Sequence, residues 1–185
     1  IAIVLNGPPG VGKDTLAAQF IARNPQFKKL EFKESLYELT AEEFGMSVER
    51  FKERATDRVH KDLLWPGRYM SPREMMIHTS ENVVKPKYGE SYFGQRAAQK
   101  AVEAGDYWVI TDGGFQVEVE ALNEYFDHVG IVQLYRQGYD FSNDSRDYIE
   151  APDDAYNFTI DLFDDDIDGG VAELERVMFT LVSYE

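Results

Sequence analysis

The chain has 185 residues, enough for one domain with a sizeable core, and its 43% hydrophobic and 14% aromatic content fits a globular fold rather than disorder. It contains no cysteine, which excludes disulfides, thiolate metal sites and cysteine nucleophiles, and no apolar run approaches the roughly 20 residues that span a bilayer. The net charge of −15 is uneven: residues 23–100 hold 15 Lys and Arg against 12 Asp and Glu, whereas residues 101–185 hold 3 against 21. This distribution reads either as no more than a solvated acidic face that keeps the protein soluble or as a mildly basic middle segment that faces a phosphorylated substrate.

In chain order, "IAIVLN" is a continuous apolar run closed by Gly-Pro-Pro-Gly, the pattern of a buried parallel strand. "DTLAAQFIARN" carries Leu16, Phe20 and Ile21 at helical spacing and ends at Asn24-Pro25. "FKKLEF" reads as a second strand and "KESLYELTAEEFG" as a helix stopped by Gly45. A charged helix with Arg50, Lys52, Arg54, Arg58 and Lys61 is expected from Ser47 to Leu64, broken by Trp65-Pro66-Gly67-Arg68. "SPREMMIHTSENVV" opens with Ser71 as N-cap, Pro72 at the first helical position and Glu74 where a capping box requires it. "KPKYGESYFG" is expected to be a loop, "QRAAQKAVEAG" a helix ended by Gly105, "YWVITDGG" a strand and "VEVEALNEYF" a helix. "HVGIVQLYR" is a further strand, followed by a polar stretch, Gln137 to Asp154, undecided between helix and strand. "YNFTIDLF" is a last strand, then an acidic turn "DDDIDGG" and a closing helix "VAELERVMFTLVSYE". There is no internal repeat or low-complexity tract. Strands alternating with helices predict an α/β fold, a parallel sheet with helices on both faces.

The first turn carries the chemistry. Gly7-Pro8-Pro9-Gly10-Val11-Gly12-Lys13-Asp14-Thr15 runs from a strand into a helix, the context of a phosphate-binding loop of the Walker A kind. Loop amides and the helix N-terminus wrap a phosphate, and Lys13 supplies a full positive charge to the β- and γ-phosphates of ATP. Asp14 stands where a Ser or Thr is usual. A carboxylate there repels phosphate unless a cation lies between them, so Asp14 and Thr15 are the candidate Mg²⁺ ligands. The alternative is that Asp14 only stabilises the first helical turn by its charge.

"GPPGVGKDT" is similar to the loop of adenylate kinases, and its Gly-Lys-Asp-Thr form resembles bacteriophage deoxynucleoside monophosphate kinases. The resemblance extends in order along most of the chain, although only the loop is specific alone. It implies a three-layer P-loop kinase fold over 1–185, with an acceptor-binding helical segment about 46–100 and a lid about 136–154. "FKESLYELTAEEFG" places Glu34 near the acceptor, "SPREMM" makes Arg73 a phosphate-binding arginine, and "YWVITDGGFQVEVEAL" matches Asp112 and Glu118. "VQLYRQGYDFSNDSRDYIE" maps Arg136 and Arg146 onto arginines of the strand and lid. The implied location is the cytoplasm, of the host if the source is viral, consistent with no signal peptide ahead of the first strand.

Two departures bear on the acceptor. The family commonly has Asp-x-Arg at the strand end, with the Arg on the acceptor phosphate, where this chain has Asp112-Gly113-Gly114. A lysine usual after the second strand is Tyr37, with Lys33 close by. Arg58, Arg68, Arg73, Lys85 and Lys87 are the cations that can compensate. Phosphoryl transfer is positioning and charge neutralisation, so Lys13 and Mg²⁺ would hold ATP, Asp112 would orient metal water or acceptor, and Arg136 and Arg146 would close on the γ-phosphate. One expected acceptor is a free deoxynucleoside monophosphate, giving the diphosphate. The alternative is the hydroxyl of 5-hydroxymethyluridine within DNA, for which Asp112 or Glu34 is a candidate base; the missing arginine and the basic middle segment favour this acceptor, and the −15 charge weighs against DNA. A guanine-reading Asn-Lys-x-Asp string is absent, and His60, His78 and His128 lack metal-ligand spacing.

Overall fold

The computed structural model describes residues 1–142, 144, 146–152, 154–164 and 166–184. Asn143, Ser145 and Asp153 of the expected lid, Asp165 of the acidic turn and Glu185 lie outside the described residues. The chain divides into two compact units, one of residues 1–32 with 94–185 and one of residues 33–93.

The first unit is built on a five-stranded, wholly parallel sheet in the order β2-β3-β1-β4-β5: β1 (Ala2–Asn6), β2 (Lys28–Leu30), β3 (Trp108–Ile110), β4 (Val129–Arg136) and β5 (Tyr156–Leu162). Side chains alternate across a strand, and β1 is buried on both sides, hence its unbroken apolar run. Ile3 and Leu5 join one core with Leu16 and Phe20 of α1 (Lys13–Arg23) and Leu174 and Leu181 of α8 (Ile167–Val182). Ala2 and Val4 join the opposite core, with Ala97 and Ala101 of α6 (Tyr92–Ala104) and Val119 of α7 (Gln116–Glu120). This is the expected three-layer α/β fold. The closing helix begins four residues before its expected start, because Asp166 accepts a hydrogen bond from the Gly169 N–H as its N-cap.

The second unit is helical, with α2 (Lys33–Glu43), α3 (Val48–Thr56), α4 (Pro72–His78) and α5 (Lys85–Tyr88) around a core of Tyr37, Phe51, Trp65 and Met75. The capping box at Ser71 and Glu74 forms as expected. Two expectations fail here. The charged helix ends at Thr56 instead of Leu64, because Asp57 Oδ1 accepts from the Val59 and His60 N–H groups and turns the chain. "KPKY" is helical rather than loop, joined to α4 through a π-helical stretch, Thr79–Val84.

Candidate phosphate-binding site

β1 ends in the middle of the sheet, and the chain turns through Gly7–Gly12 straight into α1. Gly10 (φ +80°) and Gly12 (φ +118°) occupy the left-handed region, where a side chain is strained. Gly12 caps α1 without a side-chain hydrogen bond, so no side chain competes for the first-turn N–H groups. Lys13 curls back over the loop and donates from Nζ to the carbonyls of Gly7 (2.5 Å) and Pro8 (2.9 Å). Together these form a positively polarised cradle that fits a phosphate.

Arg136, at the end of β4, reaches this cradle from the side. Its Nη1 lies 3.9 Å from where a Cβ on Gly12 would stand. The guanidinium is held by Asp164 Oδ1 (2.9 Å from Nε, 2.6 Å from Nη2) and by the Tyr139 ring, 5.1 Å away. Gly12, Thr15, Arg136, Leu162, Phe163 and Ile167 line a pocket of about 420 Å³ opening beside the loop, with both polar and apolar side chains in its wall.

A second arginine arrives from the polar stretch whose structure was undecided from sequence. Among its described residues it forms neither helix nor strand, yet residues 147–150 are tied by side-chain hydrogen bonds to β1, β4 and α7. Asn6, the last residue of β1, is fully buried. Its Nδ2 donates to the carbonyls of Gly113 (3.2 Å) and Asp147 (3.3 Å), and its Oδ1 accepts from the Ile149 N–H (2.9 Å). Gln133, the register partner of Asn6 on β4, donates to the Ile149 carbonyl (2.9 Å). Gln116 donates to the Glu150 carbonyl (2.9 Å), and the Tyr148 hydroxyl to the Leu134 carbonyl (3.0 Å). Ile149 buries its side chain in the α6/α7 core.

These ties fix where Arg146 goes. Its stem lies over Gly114, so closely that a Cβ there would stand 2.3 Å from Arg146 Cδ. Glycine at 114, which in the sequence looks like a missing cation, leaves the space that the stem of Arg146 occupies. Its guanidinium makes two hydrogen bonds to Asp144, 2.7 Å from Nε and 2.6 Å from Nη2. Those bonds, against burial, lower Asp144 to about 2, and the Arg146 N–H and the charges of Arg146 and Lys13 add to the effect. Arg146 is raised above its ordinary value, first by its bonds to Asp144 and then by the charges of Asp144, Asp112 and Glu118. Lys13, Asp144, Arg146, Asp112 and Glu118 therefore share one electrostatic neighbourhood.

Asp112, just beyond the end of β3, accepts the Phe32 N–H at Oδ1 (2.9 Å). Asp14 is exposed and pairs with Lys29 of β2 (2.8 Å). Thr15 lies on the pocket wall. Mg²⁺ usually takes one or two protein oxygens and completes its shell with water and phosphate, so Thr15 with Asp14 or Asp112 fits such an ion. Among the described residues no group of three or more His, Asp or Glu is placed to hold a metal unaided.

The expected acceptor residues lie in the second unit. Glu34 accepts from Lys52 Nζ (2.7 and 2.8 Å), Arg68 donates to the Phe44 carbonyl (2.5 Å), and Arg73 pairs with Asp62 (2.5 Å). Lys85 bridges Glu81 (2.7 Å) and Glu90 (3.0 Å), and Arg58 is exposed. Among the described residues no hydrogen bond or ion pair joins any two of these five. Sequence reasoning missed Asn6 and Asp164, and offered Asp144 only as one of three nearby carboxylates, with Asp140 and Asp147, that could pair with Arg146. Only Asn6 leaves a signal, as the polar residue that ends an otherwise apolar strand.

No helix among the described residues is long and apolar enough to cross a membrane. No family model matches the chain, and no curated protein does. Its course is similar to that of a shikimate kinase from Bacteroides thetaiotaomicron (17% identity, TM-score 0.47, 96% of this chain and 98% of that one). It is also similar to a sugar kinase from a Janibacter species (11%, 0.47, 98% and 94%) and a gluconokinase from Sinorhizobium meliloti (12%, 0.41, 97% and 96%). At these identities and TM-scores the likeness lends no weight to any substrate.

Proposed function

We propose that the chain is an ATP- and Mg²⁺-dependent phosphotransferase whose acceptor is a (deoxy)nucleoside monophosphate. The observation that carries this reading is the placement of Lys13 and Arg136 at one glycine loop, with Arg146 over Gly114 just beyond neighbouring β3 and its partner Asp144 within the field of Lys13, at the carboxyl ends of the strands, where ligands bind in open parallel sheets. Lys13 leaves its carbonyl partners to hold the β- and γ-phosphates, while the loop amides and α1 receive the rest of the triphosphate. The adenosine end lies against Leu162, Phe163 and Ile167. Mg²⁺, when bound through Thr15 with Asp14 or Asp112, supplies charge neutralisation between phosphates.

Arg136 and Arg146 stabilise the charge spread over the transferring phosphoryl group, and both are pre-positioned by carboxylates that a phosphate replaces. Asp112 orients the acceptor. A monophosphate acceptor needs cations rather than a base, and Arg146 over Gly114 restores the cation that Asp112-Gly113-Gly114 lacks; this favours it over the hydroxyl of 5-hydroxymethyluridine in DNA. The test is incubation with γ-labelled ATP and Mg²⁺, separately with each free deoxynucleoside monophosphate and with DNA containing 5-hydroxymethyluridine. Label in a nucleoside diphosphate supports the reading, label in DNA replaces it with the alternative, and no transfer to either overturns both.

A further inference from the structure

We infer that the second unit carries its own binding site for a phosphate monoester, built on α3 and the turn that follows it. Arg50 and Arg54 stand four residues apart on α3 and so share a face. Their guanidiniums lie 5.7 and 5.6 Å from the centroid of the Trp65 ring. Phe51 stacks on the same indole at 6.0 Å, and Trp65 is only 6% exposed, so the ring is a fixed floor rather than a mobile side chain. These two arginines and Trp65 line a pocket of about 320 Å³ together with Glu53, Asp57 and His60.

The pairing of charges around the pocket is what points to a ligand. The chain has 34 acidic residues for 19 basic ones, and within this unit Lys52 pairs with Glu34, Arg73 with Asp62 and Lys85 with Glu81; the exposed Arg58, Arg68 and Lys87 have no ion pair among the described residues, but Arg54, unlike them, is partly buried. Among the described residues neither Arg50 nor Arg54 has an ion-pair partner, although Glu53 and Asp57 line the same pocket. Asp57 is committed to the turn, where its Oδ1 accepts from the Val59 and His60 N–H groups and meets His60 Nδ1. Arg54 gives one long bond from Nη2 to the Leu64 carbonyl (3.3 Å), and its Nε is buried with no hydrogen-bond partner. An unsatisfied buried N–H on a charged group is a rare and costly feature. The protein itself does not saturate this guanidinium pair.

The chemistry selects the occupant. A carboxylate has two oxygens, which one guanidinium fork already satisfies. A phosphate monoester carries three terminal oxygens and nearly two charges, enough to engage two forks at once. Its source is either the acceptor nucleotide of the proposed reaction or a separate phosphorylated effector. Only the choice between these sources rests on the phosphotransferase reading; the site itself does not.

Titration with inorganic phosphate, and separately with deoxythymidine monophosphate, should be followed through the two indole N–H resonances, with Trp65 assigned by Trp65→Phe. The expected result is a saturable shift of the Trp65 signal in the wild type and in Lys13→Ala, weakened at least about tenfold in Arg50→Gln with Arg54→Gln. Arg50→Gln alone, at an exposed position, gives the same direction if the double variant does not fold. A Trp65 shift that is lost in Lys13→Ala and kept in the arginine variants, or no saturable shift in the wild type, overturns the proposal. In turnover, a raised acceptor KM in Arg50→Gln with unchanged kcat and unchanged KM for ATP assigns the acceptor as the source. An unchanged acceptor KM assigns a separate effector.

Discussion

Replacing Asn6 by Leu tests whether this one amide holds the second arginine in the site. The two side chains have similar volume, so the change removes hydrogen bonds more than it opens a cavity. Asn6 makes three of them, to the Gly113 carbonyl, the Asp147 carbonyl and the Ile149 N–H. Asp147 is exposed, and its carbonyl can turn to water; Gly113 and Ile149 are buried and cannot readily do so. Two buried groups left unsatisfied, at roughly 1–3 kcal/mol each, give an expected loss of about 2–6 kcal/mol. That is a large part of the ~5–15 kcal/mol that holds a domain folded. Urea unfolding should show a lower midpoint with an unchanged slope. Because the same bonds pin the segment carrying Arg146, the folded variant should also have a weaker acceptor KM. A stability loss below about 1 kcal/mol with unchanged kinetics would refute the reasoning, since Asn6 would then be a replaceable core residue.

Gly114→Ala places a methyl group where Arg146 Cδ now lies, so the arginine must move; acceptor KM should rise roughly tenfold or more in steady-state assays, and an unchanged KM would remove Arg146 from the acceptor's surroundings. Asp144 is depressed to about 2 in the folded chain against about 3.9 when unfolded, so its contribution to stability is present above pH 4 and is lost as pH falls toward 2. Asp144→Asn should flatten that part of the stability–pH curve, and an identical acid limb in both proteins would contradict the assignment. Asp14→Ser breaks an exposed pair with Lys29, and unfolding should shift by less than about 1 kcal/mol. If Asp14 also meets Mg²⁺, its metal preference in turnover should change, and an unchanged profile confines Asp14 to the Lys29 pair.

Much of the first unit is legible in the sequence because its signals are local. Ile3 and Leu5 alternating with Ala2 and Val4, closed by a glycine loop, specify a doubly buried strand before a phosphate cradle. In the second unit the same holds at one place, where Ser71, Pro72 and Glu74 specify a helix start within four residues. The features that escaped depend on distant partners or on one competing bond. Asp57 ends α3 because its carboxylate outbids the next helical turn for two N–H groups, which helical spacing of charges cannot reveal. Residues 147–150 have no periodicity to read, since their backbone bonds go to Asn6, Gln116 and Gln133 rather than to a helix or a strand ladder. Gly114 reads in the sequence as an absent arginine, and in the fold it is the space that the Arg146 stem fills. A lost arginine and a gap kept open for an arginine from elsewhere look the same in one dimension.

Transfer of label from γ-labelled ATP by the wild type and by Lys13→Ala tests the central claim most directly. The loop reading predicts Mg²⁺-dependent transfer that falls at least about 10²-fold when the Lys13 charge is removed, in a variant whose unfolding midpoint is close to that of the wild type. Equal transfer by the two proteins would contradict it, because the loop from Gly7 to Thr15 would then not be where the phosphates are held.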